Sequence, residues 1–457
     1  MSTAPNSVTA ALIDHIVGTR LEHIPPAARD AARTFVLDSF GVALSGTRVP
    51  LVAELRDVAA EWGQGDEARV WGTGERVPAA TAAFLNGYQI HNQEWDCVHE
   101  PAVVHPMAVV LATLVAFAEA RGGIRGSELL RACVIAVDVA TTIGSAAHNK
   151  LRFFRPAMCG ALGATAGMAA MLQLDAPTTR SALGLTYSQL SGTMQAHVEG
   201  SPVLPMQIGF NARSALTSVA LACRGIQGPL DFLEGPFGFF SLIDPDWRPD
   251  AFAELGRVFR VTELSHKPFP SGRATHGGVD GALSLRAQHG FGNDDIAEIV
   301  VLAPPLVRQL VDRTPQPRMA PSYARLCLPY VVATALIEGT VDVRDFEPAA
   351  IADPARQELA TRIRVAPDGN PAVNALAPQR VEVRLRDGHV VAMDLPAVLG
   401  APGRPLARER HLEKFRRASA SGLRPLGVAR SEALVDAVDR LEELTDVRDL
   451  VDLLMFG

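Results

Sequence analysis

Residues 105–123, HPMAVVLATLVAFAEARGG, are apolar on nearly every face that a helix would present. A helix of this kind is normally buried on most sides, because it offers water no polar face. Three later segments share this character: GSELLRACVIAVDVATTIGSAA (126–147), GALGATAGMAAMLQL (160–174) and FNARSALTSVALACRG (210–225). Their small residues would let neighbouring helices approach closely. The sequence therefore predicts a helical domain of several layers.

The pattern changes after residues 232–250, FLEGPFGFFSLIDPDWRPD, where proline, glycine and aromatic residues mark a linker. Beyond it, a helix is predicted to start near Thr275, and a buried helix is predicted over YARLCLPYVVATALIEG (323–339). Strands are predicted at RVFRVTELS (257–265), IAEIVVLAP (296–304), RIRVAP (362–367) and QRVEVRLRDGHVVAMDLP (379–396), the last with a hairpin turn at Asp387-Gly388. Residues 405–457 return to amphipathic helix.

These patterns predict a mainly α protein with an α+β part. The large all-helical domain is built from both chain ends, residues 1–262 and 403–457. A smaller α+β domain, residues 263–402, is inserted between them. A chain of 457 residues is long enough to bury cores for both.

The composition argues against several classes of partner. The net charge of −7 gives no basic surplus for nucleic acid or an anionic membrane surface. The five cysteines are scattered without a CxxC pair, which is typical of reduced thiols. The first residues lack a secretory signal pattern, and the longest apolar stretch, 107–118, is too short to span a bilayer. We therefore expect a cytoplasmic protein with no nucleic-acid or membrane partner.

A dense polar stretch, HNQEWDCVHEPAVVHP (91–106), lies between two apolar segments. It could be a metal site, a solvated loop or a set of general acids and bases. Its candidate side chains are His91, Glu94, Asp96, Cys97, His99 and His105. The spacings match neither HExxH nor paired CxxC, so we predict no metal. A loop held between buried helices tends to line a cleft, where shifted pKa values allow carboxylates and imidazoles to transfer protons.

A second polar stretch is SHKPFPSGRATHGGVDG (265–281). Its prolines and glycines precede the helix predicted near Thr275, so Ser271 would lie at a helix N-terminus, where an anion is favoured. Lys267 and Arg273 add positive charge, and arginine suits bidentate carboxylate binding. The alternative is a linker whose cations are solvated. The chain has no GxxxxGK[ST] motif and no GxGxxG in a strand–turn–helix context, so we predict no nucleotide cofactor.

Together the two stretches predict one site in the cleft between the domains. The chemistry that such residues suit is proton removal next to a carboxylate. That C–H bond is very weakly acidic, so cations must neutralise the carboxylate while a base takes the proton.

Five ordered segments resemble the MmgE/PrpD family, which includes 2-methylcitrate dehydratase, cis-aconitate decarboxylase and iminodisuccinate epimerase. They are NGYQIHNQEWDCVHE (86–100) followed by His105-Pro106, RGIQGPLDFLEGPFGFF (224–240), KPFPSGRATHGGVDGAL (267–283), LPYVVATALIEG (328–339) and EKFRRASASGL (413–423). The resemblance covers nearly the whole chain. It implies a helical domain with an α+β lid domain, usually a homodimer, and a site between the domains for small di- and tricarboxylates. It also implies no cofactor and no metal.

The resemblance implies roles for individual residues. Glu94 and Asp96 stand at the first two aspartates of the family's D-x-D-D motif, and His105 matches the histidine of its H-P-S motif. On this basis we predict five catalytic residues: Glu94, Asp96, His105, Lys267 and Tyr330. We predict six substrate-binding residues: His99, Arg155, Gln207, Ser271, Arg273 and His276.

Two positions depart from the family pattern. The family's H-P-[TS] before GALGA appears here as Arg155-Pro156. The family's lysine falls at Leu204, and Gln207 replaces the histidine that follows it. The loss of a histidine and a lysine argues against a citrate-like tricarboxylate, although Arg155 could offset one lost charge.

We therefore predict a cofactor-free lyase or isomerase that acts on a small di- or tricarboxylate by proton abstraction α to a carboxylate. We favour dehydration over epimerisation and decarboxylation, although the residues do not separate the three. Two alternatives stay open. One is a metal-dependent hydrolase built on residues 91–105, and the other is a catalytically inactive homologue that binds carboxylates.

Overall fold

The structure is a computed structural model that describes residues 7–455. The first half of the chain is helical apart from one short antiparallel ribbon, β1 (Ala68–Arg69) and β2 (Arg76–Val77). Its helices are α1 (Val8–Gly18), α2 (Pro26–Gly46), α3 (Val52–Glu61), α4 (Ala79–His91), α5 (Pro106–Arg121), α6 (Gly126–Ala146), α7 (Arg155–Met171), α8 (Ala176–Tyr187), α9 (Gln195–Glu199), α10 (Val203–Ala222) and α11 (Phe239–Leu242).

Helix α5 is the centre of this helical part. It begins at Pro106, whose fixed φ suits the first helical position, and it ends before Gly122, which has a positive φ of 70°. It contacts α4, α6, α7 and α10, and most of its residues are buried. The prediction of apolar helices buried on several sides is confirmed.

The C-terminal helices return to the same helical part. They are α18 (Arg408–Ala420), α19 (Val428–Asp439) and α20 (Val447–Leu453). Helices α18 and α19 pack on α2, and α20 packs on α5. Both ends of the chain thus build one helical body, as the sequence predicts.

The inserted part contains one four-stranded sheet with strand order β4-β3-β5-β6. Its elements are α12 (His276–His289), β3 (Ile296–Ala303), α13 (Pro305–Val311), α14 (Pro321–Ala324), α15 (Leu328–Glu338), α16 (Pro348–Ile351), α17 (Pro354–Ala360), β4 (Ile363–Pro367), β5 (Gln379–Leu385) and β6 (Val390–Leu395). Strands β3 and β4 are parallel, and the other pairs are antiparallel. Helix α12 packs on β5 and β6, and α15 packs on β4. The predicted mainly α fold with an α+β part is confirmed.

Two local predictions are wrong. Residues 257–265 form no strand but a 3-10 turn at Arg260–Glu263, because Arg260 is anchored on both sides: its backbone N donates to Asp138 Oδ1 at 2.8 Å and its guanidinium to Glu263 at 3.0 Å. The helix predicted over 323–339 is interrupted, because α14 ends at Ala324 and α15 starts only at Leu328. Pro329 has no backbone N–H to donate to the carbonyl of Arg325, and its ring would clash with that carbonyl, so one helix cannot run through this point.

Helix α6 is long and apolar enough to cross a membrane by length and composition. In the structure 89% of its apolar stretch is buried inside the protein, with α7 as its main neighbour. This burial is what a core helix of a helical domain shows.

We predict that Gly163→Ala destabilises the fold. A Cβ at Gly163 would lie 2.4 Å from the backbone O of Ala136 on α6, so the α6–α7 contact would have to open. Overpacking of this kind costs about 1–3 kcal/mol of the free energy of unfolding, measured by urea denaturation. Gly18→Ala is the matched control, because a Cβ there meets no atom within 4 Å. Equal stability of the two variants would contradict the close approach.

Candidate active site

The loop between α4 and α5, residues 92–105, carries most of the candidate acid/base groups. It is tied to the segment that leads into the inserted part, because Val98 and Ser265 exchange backbone hydrogen bonds of 3.1 and 2.7 Å. The loop turns sharply at Glu94, whose φ of 55° is left-handed and uncommon for a residue other than glycine. Strained backbone of this kind occurs preferentially at functional sites.

Asp96 holds two imidazole rings. Its carboxylate lies 3.0 Å from Nδ1 of His91 and 3.3 Å from Nδ1 of His105. The two rings meet edge to face at a centroid distance of 5.0 Å. An ionised carboxylate can only accept hydrogen bonds, so Nδ1 of His91, which is hydrogen-bonded to Asp96, carries a proton. Nδ1 of His105 faces the same carboxylate without a hydrogen bond, and a proton on that Nδ1 would leave Nε2 as the basic nitrogen of His105.

Glu94 and Lys267 form the ion pair that joins the two parts of the chain. Lys267 is fully buried, and its Nζ donates to Glu94 Oε2 and to the Glu94 backbone O, each at 2.9 Å. The same Nζ lies 3.9 Å from Asp96 Oδ1. On the other side, His91 Nε2 lies 3.5 Å from Glu94 Oε1. Two carboxylates, one lysine and one shared imidazole thus form a continuous charged group.

The pKa values in this group are pushed apart. Burial opposes ionisation of Glu94, but Lys267, His91 and His105 outweigh it and lower the pKa of Glu94 to about 2. The same balance of burial and the two histidines holds the pKa of Asp96 well below its ordinary value.

The two histidines of the group shift in opposite directions. Burial lowers the pKa of His91, but the Asp96 and Glu94 carboxylates outweigh it and raise the pKa above 6.5. Burial and the Lys267 charge lower the pKa of His105 below 6.5, against the pull of Asp96. These shifts favour the protonated form of His91 and the neutral form of His105.

A cavity lies between the helical part and the inserted part. Its lining is mostly apolar, with a few polar groups on the helical side. The helical part contributes His91, Glu94, Val98, Val103, His105, Leu151, Phe154, Pro156, Met194 and His197. The inserted part contributes Gly272, Arg273, Ala274, Leu310, Val311, Leu326 and Leu376. An apolar cleft with a few convergent polar groups is the usual form of a small-molecule site.

Three predicted substrate-binding residues of the second stretch use their polar atoms inside the protein. The Arg273 guanidinium donates to Glu100 Oε1 at 2.8 Å and to the backbone O of Leu399 at 2.7 Å, although Arg273 also lines the cavity. His276 Nε2 lies 3.2 Å from the backbone O of Ser271. The Ser271 hydroxyl lies 2.8 Å from that of Thr275.

Four other predicted residues lie outside the cavity lining. His99 Nε2 lies 2.9 Å from Glu263, and Arg155 donates to Asp244 at 2.8 Å. Gln207 accepts from the backbone N of Thr193 at 2.6 Å. The Tyr330 hydroxyl, predicted to be catalytic, donates to the backbone O of Asp345 at 2.5 Å. Each of these side chains fixes a turn or joins two segments, so in this structure these four residues make contacts within the protein.

Three polar residues near Glu94 were missed by the sequence reasoning. They are His197, Arg313 and Arg325, and in each the Glu94 charge contributes to the pKa. Arg313 Nη2 donates to the backbone O of His197 at 2.5 Å, so these two form one unit. Arg325 carried a signal in the sequence, since it is a lone cation in the otherwise apolar segment YARLCLPY.

A second buried lysine supports the loop from behind. Lys414 on α18 donates to the backbone O of Trp95 at 2.9 Å and pairs with Asp38 on α2 at 2.7 Å. Lys267 and Lys414 therefore bind the carbonyls of two successive residues, Glu94 and Trp95. The left-handed turn at Glu94 is held from the inserted part and from the C-terminal helix together.

Among residues 7–455, two groups of side chains have the geometry to hold a metal ion. One is His91, Asp96 and His105 beside the cavity, and the other is Asp38, His266 and His411 behind the loop. In each, one atom per residue lies within 4.8 Å of the others. Each also has a lysine nearby, with Lys267 3.9 Å from Asp96 and Lys414 2.7 Å from Asp38. A cation bound in either group would have to tolerate that ammonium.

Comparison with known proteins identifies the family of this chain. The MmgE/PrpD N-terminal domain matches residues 10–250, and the MmgE/PrpD C-terminal domain matches residues 269–440. Similar relatives include cis-aconitate decarboxylase of Homo sapiens, 29% identical with 98% of this chain and 94% of the relative covered. The enzyme of Mus musculus is 28% identical (98% and 93%), and that of Aspergillus terreus is 25% identical (99% and 97%). Both family domains are present over most of the chain, and the chain therefore belongs to the MmgE/PrpD family of enzymes.

Proposed function

We propose that this enzyme is a lyase that acts on a small di- or tricarboxylate through a carbanion next to a carboxylate, with His105 as the base. The observation that carries this proposal is the neutral His105 in the cavity wall, with Asp96 on Nδ1 and Nε2 left for substrate. The relatives' name, cis-aconitate decarboxylase, supports a carboxylate substrate and lyase chemistry.

The surroundings of His105 favour its neutral form. Burial and the Lys267 charge lower the pKa of His105, which favours the unprotonated imidazole at neutral pH. Asp96 orients the ring and would stabilise the imidazolium once Nε2 has taken a proton. The positive charges of Lys267 and His91 would offset the extra negative charge that develops on the substrate carboxylate.

The candidate reactions share this carbanion. In dehydration or epimerisation, the electron pair of the C–H bond stays on carbon while His105 takes the proton. The carbanion then expels hydroxide, which leaves as water after protonation, or is reprotonated on the other face. In decarboxylation, CO2 leaves while the electron pair of the C–C bond stays on carbon, and that carbon takes a proton from the imidazolium form of His105, which solvent then reprotonates. Dehydration stays our prediction from the sequence, and the relatives' name favours decarboxylation as the second candidate. A homodimer and a cytoplasmic location likewise stay predictions.

The experiment that tests the proposal is proton NMR in D2O on EDTA-treated full-length protein. The panel is cis-aconitate, citrate, 2-methylcitrate, malate, succinate and aspartate. Loss of an α-proton signal, a new olefinic signal or release of CO2 would support the proposal and separate the candidate reactions. No exchange with any member, together with thermal stabilisation by one of them, would favour the carboxylate-binding homologue instead.

A metal-dependent hydrolase is the competing proposal, favoured by the three ligand atoms of His91, Asp96 and His105 within 4.8 Å of one another. Elemental analysis of untagged protein tests it. A stoichiometric metal, with activity lost after EDTA and restored by zinc or iron, would replace proton abstraction by side chains as the mechanism.

We predict that Lys267→Met lowers turnover of the substrate found in that panel by about 10²-fold or more, because one cation at the developing charge is lost. The variant also leaves Glu94 buried without its partner, which costs about 3–5 kcal/mol of stability. The double variant Lys267→Met with Glu94→Gln should recover much of that stability without recovering turnover. A stable double variant with wild-type turnover would contradict the role of Lys267.

We predict an acid limb in the pH–rate profile below pH 6.5. The reactive form of His105 is neutral, and its pKa lies below 6.5, so turnover should fall only as the pH drops through that lowered pKa. In the single variant Lys267→Met the lysine charge that lowers this pKa is absent, so the limb of any residual turnover should move to higher pH. An acid limb that does not move, or lies above pH 6.5 in the wild type, would argue against His105 as the base.

A further inference from the structure

Arg325 is a buried cation whose donors are unused. Its side chain is only 5% exposed, and among residues 7–455 its guanidinium donates no hydrogen bond. Burial lowers the pKa of Arg325 to about 10, so it is still charged at neutral pH. One face is covered by the Phe346 ring, whose centroid lies 4.9 Å from Cζ. Its Nε is buried without a hydrogen-bond partner, and such a group is costly and in native proteins usually has an explanation.

The position of Arg325 connects it to the cavity. Its backbone O accepts from the N of Gly272 at 3.0 Å, and Gly272 and the next residue, Leu326, both line the cavity. The carboxylate of Glu94, in the cavity wall, favours the charged form of the Arg325 guanidinium. Arg325 does not itself line the cavity, but it lies beside two residues that do, and its guanidinium is within electrostatic reach of the acid/base loop.

The other cations around the cavity are already engaged. Lys267 binds Glu94, Arg273 binds Glu100, and Lys414 binds Asp38. Arg313 donates through Nη2 to the backbone O of His197, although its Nη1 has no partner. Among these cations in residues 7–455, Arg325 therefore differs in that its whole guanidinium makes no hydrogen bond, and the family motifs did not indicate it.

We propose that Arg325 binds a second carboxylate of the substrate, away from the carbon that His105 deprotonates. A carboxylate offers two oxygens that match the guanidinium fork, and it would supply the acceptors that this side chain lacks. The apolar wall residues Leu310, Leu326 and Leu376 would cover the short carbon chain between the two carboxylates. The substrate class is then an aliphatic dicarboxylate or larger, and a monocarboxylate of equal length is rejected. This inference rests on the proposed function for the identity of the ligand as a carboxylate.

Calorimetric titration of the full-length protein with succinate, tricarballylate and butyrate tests the proposal. The wild type should bind the first two at least 10-fold more tightly than butyrate. Arg325→Met should lose that difference, and Arg325→Lys should keep only part of it, because lysine lacks the planar fork. Added methylguanidinium should restore succinate binding to Arg325→Ala. Arg318→Met is the matched control, since Arg318 is exposed and near in the chain, and it should bind as the wild type does.

Denaturation separates ligand binding from a structural role. Arg325→Met removes no hydrogen bond, so its denaturation midpoint without ligand should equal or exceed that of the wild type. Arg155→Met, a buried arginine paired with Asp244 at 2.8 Å, should be clearly less stable. A drop for Arg325→Met as large as that for Arg155→Met would assign Arg325 to the fold and overturn the proposal.

Two results separate this inference from the proposed function. If Arg325→Met keeps its preference for succinate over butyrate while the wild type exchanges α-protons in D2O, the Arg325 site is wrong and the lyase proposal stands. If the wild type binds none of the three probes and exchanges no protons with any carboxylate, both fail.

Discussion

The ion pair between Lys267 and Glu94 is the interaction on which the rest of the site depends. Two carboxylates, Glu94 and Asp96, are buried beside each other, and their charges could not both persist there without compensation. Lys267 supplies part of that compensation, and the raised pKa of His91 favours a second positive charge beside it. Burial and the Lys267 charge together lower the pKa of His105. One buried lysine therefore acts on the protonation of several of its neighbours.

This arrangement also explains why the chain needs an inserted part. The carboxylates and imidazoles lie on the loop between α4 and α5, whereas Lys267 lies just after Ser265, which pairs with Val98. Lys267 and Glu94 can pair only when the two parts are packed together, so the cavity and the ion pair beside it form together. The apolar wall from the inserted part then covers the polar group and lowers the local dielectric, which strengthens every charge interaction inside.

Much of this could be predicted from the sequence, for physical reasons. Residues 105–123 and 126–147 have no polar face, so burial follows from their composition alone. The alternation in 379–396 fixes a hairpin with one buried face. The dense charges of 91–106 indicate a site, because burying charged side chains costs free energy unless they are paired with one another or with a ligand. The predictions that failed concern elements whose conformation depends on residues far away in the sequence. An example is the 3-10 turn at Arg260, whose backbone N donates to Asp138 on α6.

The site residues also divide into those that a sequence motif identifies and those that only the coordinates reveal. A motif match finds Tyr330, but it cannot show that the hydroxyl is bonded to the backbone O of Asp345. The motif comparison did not find Arg325, because what distinguishes it is a buried Nε without a hydrogen-bond partner. Hydrogen-bond inventories of buried cations require coordinates, because the acceptors come from any part of the chain.

The two lysines that hold the turn at Glu94 have a consequence for biosynthesis. Lys267 and Lys414 bind successive carbonyls of a loop that is synthesised earlier, and Lys414 follows Trp95 by 319 residues. During translation, α4 and α5 are made before either lysine exists. Until then the carboxylates of the loop lack these partners, and both contacts to the left-handed turn can be present only after α18 has packed on α2. The nascent enzyme therefore completes this turn only once α18 has been synthesised.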